Sequence, residues 1–393
     1  MRHYSYLIIG GGMTAAAAVS GIRKADAQES IGLISAEHHP PYNRPLLSKG
    51  LWKGKPLEKI WRRVDLPGVE LSLGRTVTSL DPQVKQVTDN QGIKYTYDKL
   101  LLATGGTPRR LPFGGENITY FRTLDDYLRL KELTALKHHF AVIGGGFIGS
   151  EMAAALAMNG QQVVMLFPEE GIGSLAFPPD LANFLNQYYL EKGVEVISGA
   201  KVTGLEQQDV QIILKTDTEP EVVVDAVIAG IGIQPNTDLA RAAGLAIDNG
   251  IIVDEYLRTS HPDIFAAGDV ARFYNPLLGK YMRVEHEDNA NSMGELAGQN
   301  MASASPQPYH HLPYFYSDLF ELGYEAVGEL NPRLETLSDW SEPYQKGVIY
   351  YLDGGRVRGV LLWNVWGQVE ASRKLIAEDG PFSPADLKGR LPI

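Results

Sequence analysis

The chain has no cysteine among its 393 residues. That excludes a disulfide framework, a thiolate metal site, an iron–sulfur cluster held by this chain and any thiol redox relay. It lacks a basic excess as well: net charge is −11 and the sequence pI is about 5.4. So acidic a chain is not expected to bind nucleic acid or a membrane surface broadly. No run of 18 or more apolar residues escapes interruption by glycine or polar residues, so no membrane-spanning helix is expected. A strand starting by Tyr4 leaves no room for a secretory signal, and the expectation is a cytoplasmic protein. Histidine is scarce, at 9 residues. The pairs His38–His39, His138–His139 and His310–His311 lack the spacing of metal ligands on one helical face, and no metal site is expected.

What is present is globular: 44% hydrophobic and 21% charged residues, with length for two or three domains. The stretch YSYLIIGGGMTAAAAV, from Tyr4, reads as a buried strand, a glycine turn and a small-residue helix. SIGLISAE follows as a second strand ending at Glu37, which completes a βαβ unit. HHFAVIGGGFIGSEMAAAL and QQVVMLFPEE repeat the pattern near residue 140. KLLLATGGTPRRLP, AVIAGIGIQPN and DIFAAGDV are further apolar strands running into turns. Strands alternating with helices predict parallel sheets. Beyond about residue 306 apolar and polar residues alternate, aromatics are common and DGGR marks a tight turn. That predicts an antiparallel sheet, then a helix over VEASRKLIAEDG and a loop to the end. The expected division is 1–118 with 246–305, then 119–245, then 306–393.

The glycine motifs carry the chemistry. Gly10, Gly12 and Ala15 follow a strand and open a helix. The first permits a tight turn, the second lets the backbone approach a pyrophosphate, and the third small residue lets helix and strand pack. The helix N-terminus offers unpaired N–H groups and a positive dipole end. Gly144, Gly146 and Gly149 form the full second version, flanked by Phe147 and Ile148, with Glu151 inside the new helix. About 20 residues after such a motif, a carboxylate accepts hydrogen bonds from the adenosine ribose. Glu37 stands in that place for the first copy and Glu169 for the second, with the adjacent Glu170 as the alternative. A carboxylate welcomes a 2′-hydroxyl and repels a 2′-phosphate. Losing such a bond costs about 1.5–3 kcal/mol, roughly 10–100-fold in affinity, so NADH is expected over NADPH. Two dinucleotide sites on one chain imply hydride exchange between two dinucleotides. If one is NADH, the other must accept a hydride and pass electrons on, as FAD does.

ATGGTPR followed by AAGDV is similar to the paired turns of the two-dinucleotide flavoproteins. PPYNRPLLSKGLW resembles the flavin-side loop of oxygenase-coupled ferredoxin reductases and apoptosis-inducing factor-like proteins. LFPEEG, VEHEDNA and YSDLFELGYEAVGE look closer to the latter, and RGVLLWNVWGQVEASRKLI resembles the C-terminal region of the bacterial reductases. The resemblance runs over nearly the whole chain. It implies an α/β fold with two Rossmann-like, glutathione reductase-type domains for FAD and NAD, plus a C-terminal α+β domain.

The same resemblance implies residue roles. Ala103, Thr104, Gly105 and Arg109 would lie along the FAD, with Asp269 on its ribityl chain. Arg44 and Lys49 would face FAD, Lys49 near the flavin ring; a carboxylate such as Glu151 is the expected partner that holds Lys49. Val77 would meet the adenine through its backbone. Glu285 and His286 would sit beside the reacting rings, Glu325 at the nicotinamide carboxamide, and Gly232 beside the NAD. Tyr316 stands where apoptosis-inducing factor has tryptophan. The residues expected around the chemistry are therefore Lys49, Glu151, Glu285, His286 and Tyr316. The expected reaction is hydride transfer from NADH to FAD and electron delivery to a ferredoxin or rubredoxin, oxygen or a quinone. A basic cluster of Lys49, Lys53, Lys55, Lys59, Arg62 and Arg63 suits an acidic iron–sulfur partner. The alternative is a slow redox sensor of the apoptosis-inducing factor type, with a stable flavin–NAD charge-transfer complex and an oligomeric state changed by NADH. A homodimer is among the expectations. Disulfide reductase and cysteine-dependent peroxidase activities of related flavoproteins are excluded, because their cysteines are missing.

Overall fold

The structure is a computed structural model and describes residues 2–218 and 221–393. The chain divides into two compact units, each assembled from three stretches.

The first unit comprises Met1–Arg44, Leu57–Thr107 and Gln234–Pro313. Its main sheet has the order Val69–Ser72, Ile31–Ile34, Arg2–Ile9, Lys94–Leu102, Gln86–Asp89, Val77–Asp81, and Ile264–Ala266 also pairs with Lys94–Leu102. The pairs around Arg2–Ile9 are parallel. The hairpin Val77–Asp81/Gln86–Asp89 is antiparallel, which the sequence reading had not resolved. The central strands read as unbroken apolar runs because both faces are covered; Leu7, Ile8, Leu33 and Leu101 are fully buried. The helix Met13–Ala25 packs along Glu287–Ala302, where alanines and glycines let the backbones approach.

The second unit comprises Pro45–Pro56, Pro108–Ile233 and Tyr314–Ile393. A parallel sheet runs in the order Val194–Ser198, Gln162–Phe167, His139–Ile143, Ala226–Ala229, Ile118–Tyr120. The helix Leu124–Leu136 is started by Thr123 and Asp126, which cap each other's backbone N–H groups. Three further strands, Val202–Gln208, Gln211–Thr216 and Val222–Val224, form an antiparallel sheet.

The C-terminal sheet is antiparallel throughout, in the order Tyr314–Leu319, Leu322–Gly328, Arg356–Trp363, Lys346–Asp353, Glu335–Glu342. Gly354 and Gly355, both at positive φ, make the two-residue turn that DGGR predicts. The helix Val369–Ala377 packs on this sheet. The chain end is not all loop: Ser383 and Asp386 cap a short helix, Pro384–Leu387. Among the described residues, no helix is long and apolar enough to cross a membrane.

Candidate functional site

In the first unit, two parallel strands end side by side, which puts the GGG and ATGG turns together. Ala103 N–H donates to Ile9 O at 2.8 Å. Gly10 has φ +124°, and a Cβ there would lie 2.1 Å from Ala103 O, so no side chain fits. Gly12, which precedes the helix Met13–Ala25, has open space where a Cβ would stand. No acidic residue occupies the helix's first turn, so its positive end is left for an anion. Ala15, fully buried, packs helix against strand.

The first unit also holds Thr104, Gly105, Asp269, Glu285, His286 and Val77 of the expected FAD residues. Thr104 Oγ1 donates to Asn236 O at 2.8 Å and Asn236 Nδ2 donates to Thr104 O at 2.8 Å, while Asn236 N–H donates to Gly105 O. Asn236 therefore staples the ATGG turn, a role no motif announced. Asp269 sits in the tight turn Gly268–Val270 after strand Ile264–Ala266. Arg283 donates to Asp269 O at 3.0 Å and pairs with Glu285 at 2.7 Å. His286 precedes the helix Glu287–Ala302 with an extended backbone. Val77 opens the strand Val77–Asp81 beside a bulge.

Glu37 lies three residues beyond the strand Ile31–Ile34 rather than at its end. Tyr42 Oη donates to its Oε2 at 2.6 Å and Arg44 to its Oε1 at 2.7 Å. Burial works against the Arg44 cation, but Tyr42 and Glu37 more than offset it and its pKa is raised.

The second unit holds the other cradle. Gly144 has φ +112°, Gly146 has open space at the Cβ position, and the helix Phe147–Met158 again lacks an acid in its first turn. Gly149 is where the copies differ: a Cβ would lie 1.9 Å from Gly144 O. The Phe147 ring packs on Phe315 with centroids 5.0 Å apart, and Ile148 is exposed. Glu169 and Glu170 both follow the strand Gln162–Phe167. Glu169 is half-buried, with its carbonyl accepting from Gly199 N–H; Glu170 is exposed, with its carbonyl accepting from Asn186. Gly232, at φ +86°, accepts from Arg109 N–H at 2.9 Å. Arg109 is in this unit.

Among the described residues of this unit, Glu151 is the buried charged side chain, at 5% exposure. Lys49 Nζ and Ser317 Oγ donate to its Oε1, each at 2.5 Å, and Ser48 Oγ donates to Oε2 at 2.6 Å. Three distant stretches of sequence thus converge on one carboxylate. Burial first, and the Glu151 charge second, push the phenols of Tyr189 and Tyr324 well above the ordinary tyrosine range. Lys49 Nζ lies 5.4 Å from the Tyr316 ring centroid. Tyr316 pairs directly with Glu325 across two strands. Glu325 accepts from Gly367 N–H at 3.2 Å, and burial raises its pKa.

The basic cluster is smaller than its sequence. Lys49 is half-buried and paired with Glu151, Lys53 pairs with Asp318 at 3.2 Å, and Arg62 donates to Asn291 at 2.6 Å. Lys55, Lys59 and Arg63 are exposed. Within the first unit, Arg62 and Arg63 line an open groove of about 790 Å³ with Trp61, Asn43, Asp288 and Glu295. Ser48 and Ser317 were missed for want of a local signal, since nothing in LSK or YSD names a shared carboxylate.

Residues 4–294 match the model of the pyridine nucleotide–disulphide oxidoreductase family. Residues 338–378 match that of the apoptosis-inducing factor C-terminal region. The chain is 35% identical to mitochondrial apoptosis-inducing factor 1 of Dictyostelium discoideum, over 96% of this chain and 79% of that protein. It is 32% identical to putidaredoxin reductase CamA of Pseudomonas putida, over 96% and 93%. Among solved structures, the covalent putidaredoxin reductase–putidaredoxin complex superposes with a TM-score of 0.91 at 30% identity, covering 98% of this chain and 95% of that one.

Proposed function

Since the chain belongs to the pyridine nucleotide–disulphide oxidoreductase family, which uses FAD and NAD(H), we propose that it is an NADH:ferredoxin reductase-type flavoenzyme. The observation that carries this reading is that each unit ends a parallel sheet in its own dinucleotide cradle, on a chain without cysteine. The residues fit both groups: an open Gly12 or Gly146 flank, a helix end without acid, and a carboxylate beyond the next strand. In this proposal residues 1–118 and 246–305 bind FAD, 119–245 bind NADH, and 306–393 form the C-terminal domain.

FAD held in the first cradle would supply hydride acceptance from NADH and one-electron delivery to a carrier. The protein's part is positioning and electrostatics. Gly12 and the following helix end would take the FAD pyrophosphate, with Gly10 shaping the turn, Ala15 packing helix on strand and Glu37 on the ribose; Gly146, Gly144 and Gly149 would do the same for NADH, with Glu169 or Glu170. Lys49, held by Glu151, places a cation for negative charge that develops on reduction. Glu325 orients the nicotinamide carboxamide, with Tyr316 beside it.

The proposed acceptor is an acidic iron–sulfur protein of the ferredoxin or rubredoxin class. The exposed Lys59 and Arg63 of the first unit support it, as does the likeness to a reductase along nearly the full length of both chains. The redox-sensor alternative is not favoured, because the apoptosis-inducing factor relative is matched over a smaller share of its own length. A cytoplasmic location and a homodimer belong to the same proposal. The test is NADH-driven cytochrome c reduction with added ferredoxins. Stimulation that fades with salt is the expected result; no stimulation by any carrier at low or high salt rejects the reading. An elution volume that shifts with NADH, together with slow turnover, would restore the sensor.

A further inference from the structure

The loop after Glu37 folds back on it. Tyr42 is 2% exposed, yet its hydroxyl reaches Glu37 Oε2 at 2.6 Å, while Arg44 takes Oε1 at 2.7 Å. The Tyr42 ring is braced edge-on by Trp61, with centroids 6.3 Å apart, and covered by the Arg44 guanidinium 5.0 Å from its centroid. The backbone is tied at three points: Arg62 N–H to Pro41 O, Asn43 N–H to Ile60 O, and Gly74 N–H to Glu37 O. A buried tyrosine hydroxyl needs a partner, and this one is held to Glu37, the carboxylate expected at the adenosine ribose.

A carboxylate oxygen has two lone-pair sites. With Tyr42 on Oε2 and Arg44 on Oε1 as the donors among the described residues, each oxygen keeps one acceptor site, which matches the two vicinal hydroxyls of a ribose. Arg44 alone would let the carboxylate turn about its last torsion; donors on both oxygens stop it. Orientation fixed before binding removes an ordering cost at the moment of binding.

We propose that Tyr42 is a positioning residue of the adenosine-ribose subsite, fixing Glu37 so that its two remaining acceptor sites meet the 2′- and 3′-hydroxyls of FAD. The proposal rests on the assignment of Glu37 to the FAD ribose. Tyr42→Phe deletes only the hydroxyl and keeps the ring between Trp61 and Arg44.

The experiment compares wild type, Tyr42→Phe and Glu37→Gln, each loaded with FAD or with an FAD analogue whose adenosine ribose carries no hydroxyls. It reads flavin release after dilution, by regained fluorescence, and the melting temperature of the flavin-free proteins. The Tyr42→Phe protein is expected to release FAD about 10-fold faster, to release the analogue at the wild-type rate, and to melt like wild type without flavin. Wild-type FAD release from Tyr42→Phe, with Glu37→Gln accelerated, overturns the role of Tyr42 and leaves Glu37 in place. Wild-type release from both variants overturns the ribose assignment itself. Equal acceleration with FAD and the analogue shows a merely structural tyrosine and also overturns the proposal.

Discussion

Glu151 is a carboxylate on a helix that is otherwise small and apolar, and Lys49 and two serines keep it there. Removing one partner of a buried pair leaves the other charge uncompensated, which costs about 3–5 kcal/mol, whereas replacing both with apolar groups is far milder. Lys49→Ala is therefore expected to destabilise by about that amount, and Lys49→Met/Glu151→Leu by clearly less. Urea unfolding of the flavin-free proteins reads the difference; equal losses would show that the pair is not electrostatically closed. Glu325 gives a pH prediction. Burial raises its pKa above the ordinary value of 4.5, with the Gly367 N–H acting the other way. The folded state thus binds its proton more tightly than the unfolded state, so this group's contribution is full below pH 4.5 and is lost as pH rises through the raised pKa. The melting-temperature difference between wild type and Glu325→Gln is expected to move against wild type across that window. A difference that is flat with pH would remove the burial argument.

At the scale of elements, the two cradles look alike in sequence but differ in tolerance. Gly149→Ala places a methyl 1.9 Å from Gly144 O, so helix and turn must separate. Ala15 already carries that methyl, fully buried, in the first copy. The expected outcome for Gly149→Ala is a large rise in the NADH dissociation constant, measured by anaerobic titration, with FAD content unchanged. Loss of FAD instead would mean that the copies were assigned the wrong way round. This contrast also shows what was readable in advance. Apolar runs ending in glycine gave both parallel sheets, because buried strands leave unbroken apolar segments, and DGGR gave its hairpin because two consecutive positive-φ residues demand glycine. The hairpin at Val77–Asp81 and the sheet from Val202 stayed hidden, being short, half-exposed strands without clear alternation. The hydroxyls of Ser48 and Ser317 stayed hidden too, because they act across more than 100 residues of sequence, a distance no local pattern encodes.

For the molecule as a whole, the decisive quantity is charge. At −11 the protein repels an acidic carrier at long range, so productive encounter depends on a local reversal of sign. Lys59 and Arg63 in the first unit are exposed; Arg63 faces Asp65 only at 3.8 Å, with both side chains largely in solvent. Such a surface pair is worth little, which leaves the cation available to a partner. Salt screens exposed charges beyond about 10 Å at 0.1 M. It weakens both the general repulsion and the local attraction, so the sign of the salt effect tells which one governs docking. Attraction at the patch predicts carrier reduction that slows as salt rises, and repulsion by the whole surface predicts the opposite. Lys59→Glu/Arg63→Glu is expected to raise the KM for a ferredoxin about 10-fold at low salt, while NADH reduction of ferricyanide, a small acceptor, keeps its kcat. With the double variant the salt dependence should invert, since only repulsion remains. An unchanged KM with the salt slope intact would place the docking surface elsewhere on the molecule.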